Sequence, residues 1–351
     1  MGRTGWPWAP LRRGAAAGRR RCENGPVTAE LASPAVRAWL DSVLAGQPIA
    51  TARRLAGGYR NDNVLLVTAA GQRYVLRRYP ADAGAGSASR TCAIEAAVAA
   101  RLQGIVPVAE VVAADPAGSA AGTPLLLSRY APGTMVSELL AGAGGDDARK
   151  LGHAAGALLP DVGSVSFGTA GFFTGPDLIP SAGGMPGSLL EFVESCLRAA
   201  NARAGSGDAA GLTRAEQDGL RELAVRAAPL VARAESGRRL VHADYNPKNL
   251  LAVRRGGRWA ISAVLDWEFA FSGSPLADIG NMLRPRPAVP ADFTAGFIAG
   301  YREAAGRLPP DWREISEALD LYALADFLTR PPDHRYSGQA VALIRARLSR
   351  E

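Results

Sequence analysis

Lysine is almost missing from this 351-residue chain: Lys150 and Lys248 stand against 38 arginines. Cysteine is scarce too. Cys22, Cys92 and Cys196 share no metal-ligand spacing and, being three, cannot all pair. That argues against a zinc site or a structural disulfide and for a reducing, cytoplasmic setting. No run approaches the eighteen or so apolar residues of a membrane span, and the N-terminal segment lacks the hydrophobic stretch of a secretory signal. The formal charge of +7 is also misleading as a sign of nucleic-acid binding. Residues 1–26 hold six arginines and one glutamate, a net of +5, which leaves +2 over the other 325. The remainder is nearly neutral, so no nucleic-acid partner is expected. Residues 1–27 read as a disordered Arg-rich tail without a core-forming pattern, and Val27 is a candidate natural start. With 48% hydrophobic residues the rest is long enough for two lobes with real cores.

What is present is a cluster of oxygen ligands. His242 to Asn249 read HADYNPKN, and Asp266 follows in VLDWEF. Leu250 to Val253 and Trp259 to Leu265 are short apolar strands around a turn containing Gly256-Gly257, the pattern of a β-hairpin. Antiparallel pairing would return Asp266 to Asn249 and keep Asp244 at the same end. A hard cation such as Mg²⁺ wants one or two carboxylates plus phosphates and water, and phosphoryl transfer wants a further carboxylate to position the attacking hydroxyl. Asn249 and Asp266 fit the metal role and Asp244 fits the base.

The pair of motifs resembles the catalytic loop and metal motif of the aminoglycoside phosphotransferase and choline kinase-like family, which shares the protein-kinase fold. Protein kinases proper fit less well, because the chain has HAD and DWE where they carry HRD and DFG, and no APE segment. The resemblance implies an α+β, bilobal, protein-kinase-like fold with a small β-rich N-terminal lobe (28–128), a hinge (129–133) and a larger, mainly helical lobe (134–351). It implies ATP as co-substrate, Mg²⁺, and transfer of the γ-phosphate to a hydroxyl of a small molecule. An aminoglycoside or other hydroxylated antibiotic is the first candidate, with resistance by inactivation as the role. A metabolic kinase of the choline, homoserine or methylthioribose type is the alternative, and an inactive kinase-like scaffold a weaker one. By the same resemblance His242 holds the catalytic loop, Asp278 accepts hydrogen bonds from its backbone, and Lys248 is placed to touch the transferred phosphate. A monomer or weak dimer is expected.

The nucleotide side is read upstream. Gly57, Gly58, Asn61 and Asn63 lead into a strand at Val64 to Thr68, and the chain returns as Arg73 to Tyr79, similar to the family's phosphate loop. Alternation puts Arg77 and Val75 on one strand face and Arg78 on the other. Arg77 then matches the family's phosphate-binding lysine, a departure in shape. Glu95, on a helix expected over Thr91 to Leu102, matches its partner, although it also reads as a carboxylate in a first helical turn. Pro124 to Ser128 is a strand, and Ser128 and Tyr130 border the hinge where a base would meet backbone groups. On the acceptor side stand Glu268 and Asp326. The helix expected over Asp311 to Arg330 opens with Asp311 and Glu314 as a capping box. Its stripe of Trp312, Ile315, Leu319 and Tyr322 is interrupted by Asp326. Segment 311–326 carries five acids and one arginine, net −4, which suits an amine-bearing or hydroxyl-rich acceptor.

Overall fold

The computed structural model describes residues 33–55, 61–79, 87–181, 188–204, 211–286, 288–304, 306–331 and 333–350. Gly57, Gly58 and the N-terminal tail therefore lie outside the described residues. Helix α1 (Pro34–Val43) precedes an antiparallel sheet of β1 (Ile49–Arg54), β2 (Asp62–Thr68), β3 (Arg73–Arg78), β4 (Val111–Asp115) and β5 (Leu125–Arg129), in the order β1-β2-β3-β5-β4. Period-two patterning drives it. Val64, Leu66, Leu76, Leu125 and Leu127 point to one face and bury with Val36 and Leu40 of α1. Helix α2 (Ser87–Leu102) lies between β3 and β4 in sequence and begins four residues earlier than its periodicity suggests. Glu95 is consequently mid-helix and not in a first turn.

The rest is mainly helical: α3 (Val136–Ala141), α4 (Gly145–Val162), α5 (Leu189–Ala204), α6 (Arg214–Ala234), α7 (Leu276–Leu283), α8 (Ala291–Glu303), α9 (Trp312–Leu328) and α10 (Arg335–Leu348). Short strands interleave with them. β6 (Thr134–Met135) joins the hairpin of β9 (Leu250–Arg255) and β10 (Arg258–Val264), while β7 (Gly171–Phe172), β11 (Phe271–Gly273) and β8 (Arg239–Val241) form a third sheet. The α+β, bilobal, kinase-like architecture is thus present. Among the described residues no helix is long and apolar enough to cross a membrane.

Two local features position the site. The hairpin turn is Gly256-Gly257 with φ of 55° and 77°, the left-handed pair that a tight two-residue turn demands. Helices α4 and α8 approach so closely that a Cβ on Gly152 or Gly156 would sit 2.0 Å from the Phe293 or Phe297 carbonyl oxygen, and Gly296 and Gly300 face the same constraint from α4. Only glycine allows such backbone contact. Helix α4 in turn presents the Ala155 carbonyl to the buried Tyr245 hydroxyl at 2.8 Å, which fixes the loop that carries Asp244.

Helix α5 opens at Leu189, and α6 opens after Thr213 with a complete Thr213–Glu216 capping box. At Asp311 the expected box does not form. The helix starts at Trp312, and the Asp311 side chain, drawn to the Arg233 guanidinium, makes no cap bond.

Candidate active site

The catalytic loop is tied down from three sides. Buried Asp278 of α7 accepts the backbone N–H groups of His242 and Ala243, each at 2.8 Å. Burial pushes its carboxyl up to about 6, against the pull of His242 and those two donors. His242 Nδ1 accepts the Asp244 N–H at 3.1 Å, so its proton sits on Nε2, 2.9 Å from the Leu265 carbonyl. One imidazole thus links the loop of Asp244 to the chain just before Asp266. Ala243 and Asp266 both hold left-handed backbone, φ 69° and 71°, a costly conformation for residues with a Cβ that persists only where its surroundings impose it.

Around Asp244 the carboxylate is shared. Asn249 Nδ2 donates to Asp244 Oδ2 at 2.8 Å, Asn246 Nδ2 donates to Oδ1 at 2.8 Å, and Lys248 Nζ lies 3.2 Å from Oδ2. Burial works against the charge on Lys248, but Asp244 and Tyr336 together outweigh it and hold the ammonium above its ordinary range. Spending its Nδ2 on Asp244 orients the Asn249 amide so that Oδ1, the atom a hard cation would take, is not used there. The Leu265 N–H bonds to the Asn249 carbonyl at 2.9 Å, so the hairpin does return Asp266 beside Asn249.

On the sheet side Arg77 is the hub. Its Nη1 donates to Glu95 at 2.8 and 2.9 Å and to Asp266 Oδ1 at 2.8 Å, and its Nε donates to Asn63 Oδ1 at 3.1 Å. Burial opposes every charge here. Arg77 nevertheless holds the Asp266 carboxyl below the ordinary range, whereas fully enclosed Glu95 is pushed up by burial despite its partner. Tyr79 donates its hydroxyl to Glu95 at 2.5 Å, a contact the sequence did not flag. Asn61 reaches across to Glu268 at 3.1 Å, tying the end of the segment that contains Gly57 and Gly58 to the DWE block. Arg77 therefore faces Glu95 and Asp266, with Asn61, Asn63 and Glu268 close by.

Ser128 is the last residue but one of β5, opposite Val75, and the Tyr130 N–H is spent on the Arg73 carbonyl at 3.0 Å, so that N–H is not offered to a nucleotide base. Asp326 is absent from the cluster around Asp244. Its carboxylate meets Arg330 one turn on at 3.2 Å, and its charge is felt by Cys196 of α5. The acidity of segment 311–326 is likewise not presented to an acceptor. Asp311 is paired with Arg233, Asp326 with Arg330, and Asp320 with both Arg284 (2.5 Å) and Arg347 (3.0 Å), while Glu314 and Glu317 are exposed. A cavity of about 290 Å³ adjoins the loop at Ala243 and is lined by Asn281, Arg284, Asp320 and Tyr322, among others.

A family model for phosphotransferase enzymes matches residues 51–318, from β1 into α9 and across every motif above. The chain belongs to the phosphotransferase enzyme family. No curated protein matches this phosphotransferase. Among solved structures it is similar to a thermostable mutant of aminoglycoside phosphotransferase APH(4)-Ia in ternary complex with ADP and hygromycin B, at 20% identity over 89% of this chain and 98% of that one, TM-score 0.59. It is also similar to the GDP and kanamycin complex of APH(2")-IIIa, at 15% identity over 90% and 99%, TM-score 0.63. A putative aminoglycoside phosphotransferase from Ralstonia eutropha JMP134 gives 19% identity, 89% and 93% coverage and a TM-score of 0.56. At these identities the likeness concerns the fold.

Proposed function

We propose that this phosphotransferase moves the γ-phosphate of ATP to a hydroxyl of a small molecule with Asp244 as the base, the observation that carries the reading being the convergence of Asp244, Asn249 and Asp266 with the Arg77–Glu95 pair. The acceptor oxygen bonds to the γ-phosphorus as the bridging bond to ADP breaks; ADP keeps that electron pair, and the hydroxyl proton passes to Asp244. Asn246 and Asn249 hold the two carboxylate oxygens in place for that task. One carboxylate and one amide oxygen, from Asp266 and Asn249, are too few for a protein-built metal cage but fit Mg²⁺, which keeps waters and takes phosphate oxygens. When bound it would neutralise charge on the phosphates. Arg77, steered by Asn63 and Glu95, is the cation for the nucleotide phosphates, with residues 129–133 linking the two lobes and Glu268 on the acceptor side. ADP, GDP, hygromycin B and kanamycin in the similar structures support a nucleotide co-substrate and make an aminoglycoside or other hydroxylated natural product the first acceptor class to try, ahead of a metabolite.

The test is incubation with ATP, Mg²⁺ and a panel of hydroxylated compounds, read by mass spectrometry for a phosphate adduct. Asp244→Ala should fold and bind nucleotide while turnover drops by about two to four orders of magnitude. Asp266→Ala should instead weaken Mg-nucleotide binding. Near-normal turnover in both would refute the mechanism.

A further inference from the structure

The charge beside Asp244 sorts those acceptor candidates. Arg286, just beyond α7, donates to carbonyl oxygens of Asn281 (2.8 Å), Met282 (3.3 Å) and Arg284 (3.2 Å) and to Asn281 Oδ1 (3.3 Å). Among the described residues no carboxylate lies within ion-pair distance of it. It is half-buried, it feels the like charge of Arg284, and the carboxylates it senses, Asp320 and Asp244, are already engaged. Burial and Arg284 lower its guanidinium to about 10, a marked drop for a group that is ordinarily always charged. Tyr336 lies within electrostatic reach of Arg286, and its hydroxyl takes Lys248 Nζ at 3.2 Å and Arg335 at 2.6 Å. Arg284, Arg286, Arg347 and Lys248 thus stand against two carboxylates, Asp244 and Asp320. The Tyr336 and Arg347 end of this wall lies beyond the residues that the family model matches.

A partly desolvated guanidinium held only by carbonyls is incompletely compensated, and a charge in that state gains by meeting an anion. Arg77 already has its carboxylates; Arg286, among the described residues, does not. We propose that Arg286, with Lys248 and Tyr336, forms an anion-binding subsite for the acceptor, so that, against the aminoglycoside class suggested by the similar structures, the molecule phosphorylated carries a carboxylate or phosphate besides its hydroxyl. The proposal rests on Asp244 marking the transfer site, as argued above.

The test is calorimetric titration of the full chain with Mg-ADP, using D-gluconate and D-glycerate as anionic hydroxylated probes, sorbitol as a neutral one and kanamycin as a cationic one. Saturable binding of an anionic probe is expected, weakened about tenfold or more by Arg286→Gln and largely kept by Arg286→Lys. If Arg286→Gln fails to fold, the rank order on the unaltered protein decides: preference for kanamycin, or no binding of either anion, overturns the proposal. The terminal phosphate of the nucleotide is the other source of an anion. Titrations with inorganic phosphate, and with AMP-PNP replacing ADP, separate the two. Anionic probes displaced by AMP-PNP together with phosphate would assign the subsite to the transferred group and overturn the acceptor reading; anionic probes that still bind support it. Binding needs no transfer, so anion binding without any phosphorylated product would sink the proposed function alone, whereas transfer to kanamycin would sink this inference alone.

Discussion

Two arginine centres flank the catalytic loop, and their charge balances are opposite. Among the described residues Arg77, on the sheet side, is the guanidinium paired with both Glu95 and Asp266, with Glu268 also within electrostatic reach. Arg286, on the helical side, is bound by carbonyls and feels the like charge of Arg284, while the carboxylates within its reach are already shared, Asp320 with Arg284 and Arg347 and Asp244 with Lys248. The first has surplus negative charge, as suits a site for a metal ion and nucleotide. The second has surplus positive charge. The same residue type meets opposite surroundings, and its neighbours, not its identity, set what it can receive.

The sharpest way to break this comparison is to remove its first centre. Arg77→Ala strands Glu95 and Asp266 together, and loss of one partner from a buried ionic cluster costs about 3 kcal/mol or more. Melting temperature should fall markedly and the Michaelis constant for ATP should rise. A normal melting curve would mean that the cluster is not formed in solution. Arg284→Ala on the other side should cost less, about 2 kcal/mol, since Asp320 keeps Arg347 at 3.0 Å. Equal losses from the two variants would erase the distinction.

The loop between the centres gives a pH test. Burial holds the Asp278 carboxyl up at about 6, so the folded state binds that proton more tightly than the unfolded chain does. The stability this group contributes is complete below about pH 4 and is lost as pH rises through about 6. The stability of the natural protein relative to Asp278→Asn, followed by denaturant titration, should therefore shrink over that interval. A gap that widens would contradict the assignment.

Smaller still is Asp326→Asn. Its pairing with Arg330 is a one-turn helix contact, so a loss of about 1 kcal/mol with the acceptor's Michaelis constant unchanged is expected. A raised acceptor constant at full stability would restore Asp326 to the acceptor site. Arg78→Ala, on the face of β3 opposite Arg77, should affect ATP least; an effect equal to that of Arg77→Ala would mean that the strand register is wrong.

The features that were legible from residues alone are those fixed by local chemistry. A Gly-Gly turn between two apolar runs can close only one way, so the approach of Asp266 to Asn249 could be read before any coordinates. Alternation along β3 separated Arg77 from Arg78 for the same reason. At Thr213 a capping box with Glu216 does form. Asp311 and Glu314 carry the same pattern, yet Arg233, 78 positions away, takes the Asp311 carboxylate. A local rule lost to a distant charge. Nor does spacing reveal that Gly152 and Gly156 meet Gly296 and Gly300 across two helices, because small residues acquire that meaning only when backbones touch.

Residues alone therefore fixed the approach of Asp244, Asn249 and Asp266, the strand faces and the α+β class, since each depends on neighbours a few residues apart or on one tight turn. Tertiary structure alone decided the balance of charge. Whether the net −4 of segment 311–326 faces an acceptor depends on where Arg233, Arg284, Arg330 and Arg347 fold to, and they neutralise three of its five acids while Arg286, among the described residues, has no carboxylate within ion-pair distance. Electrostatic interaction acts through space and not along the chain, so a run of like charges specifies its composition but not the partners it will meet.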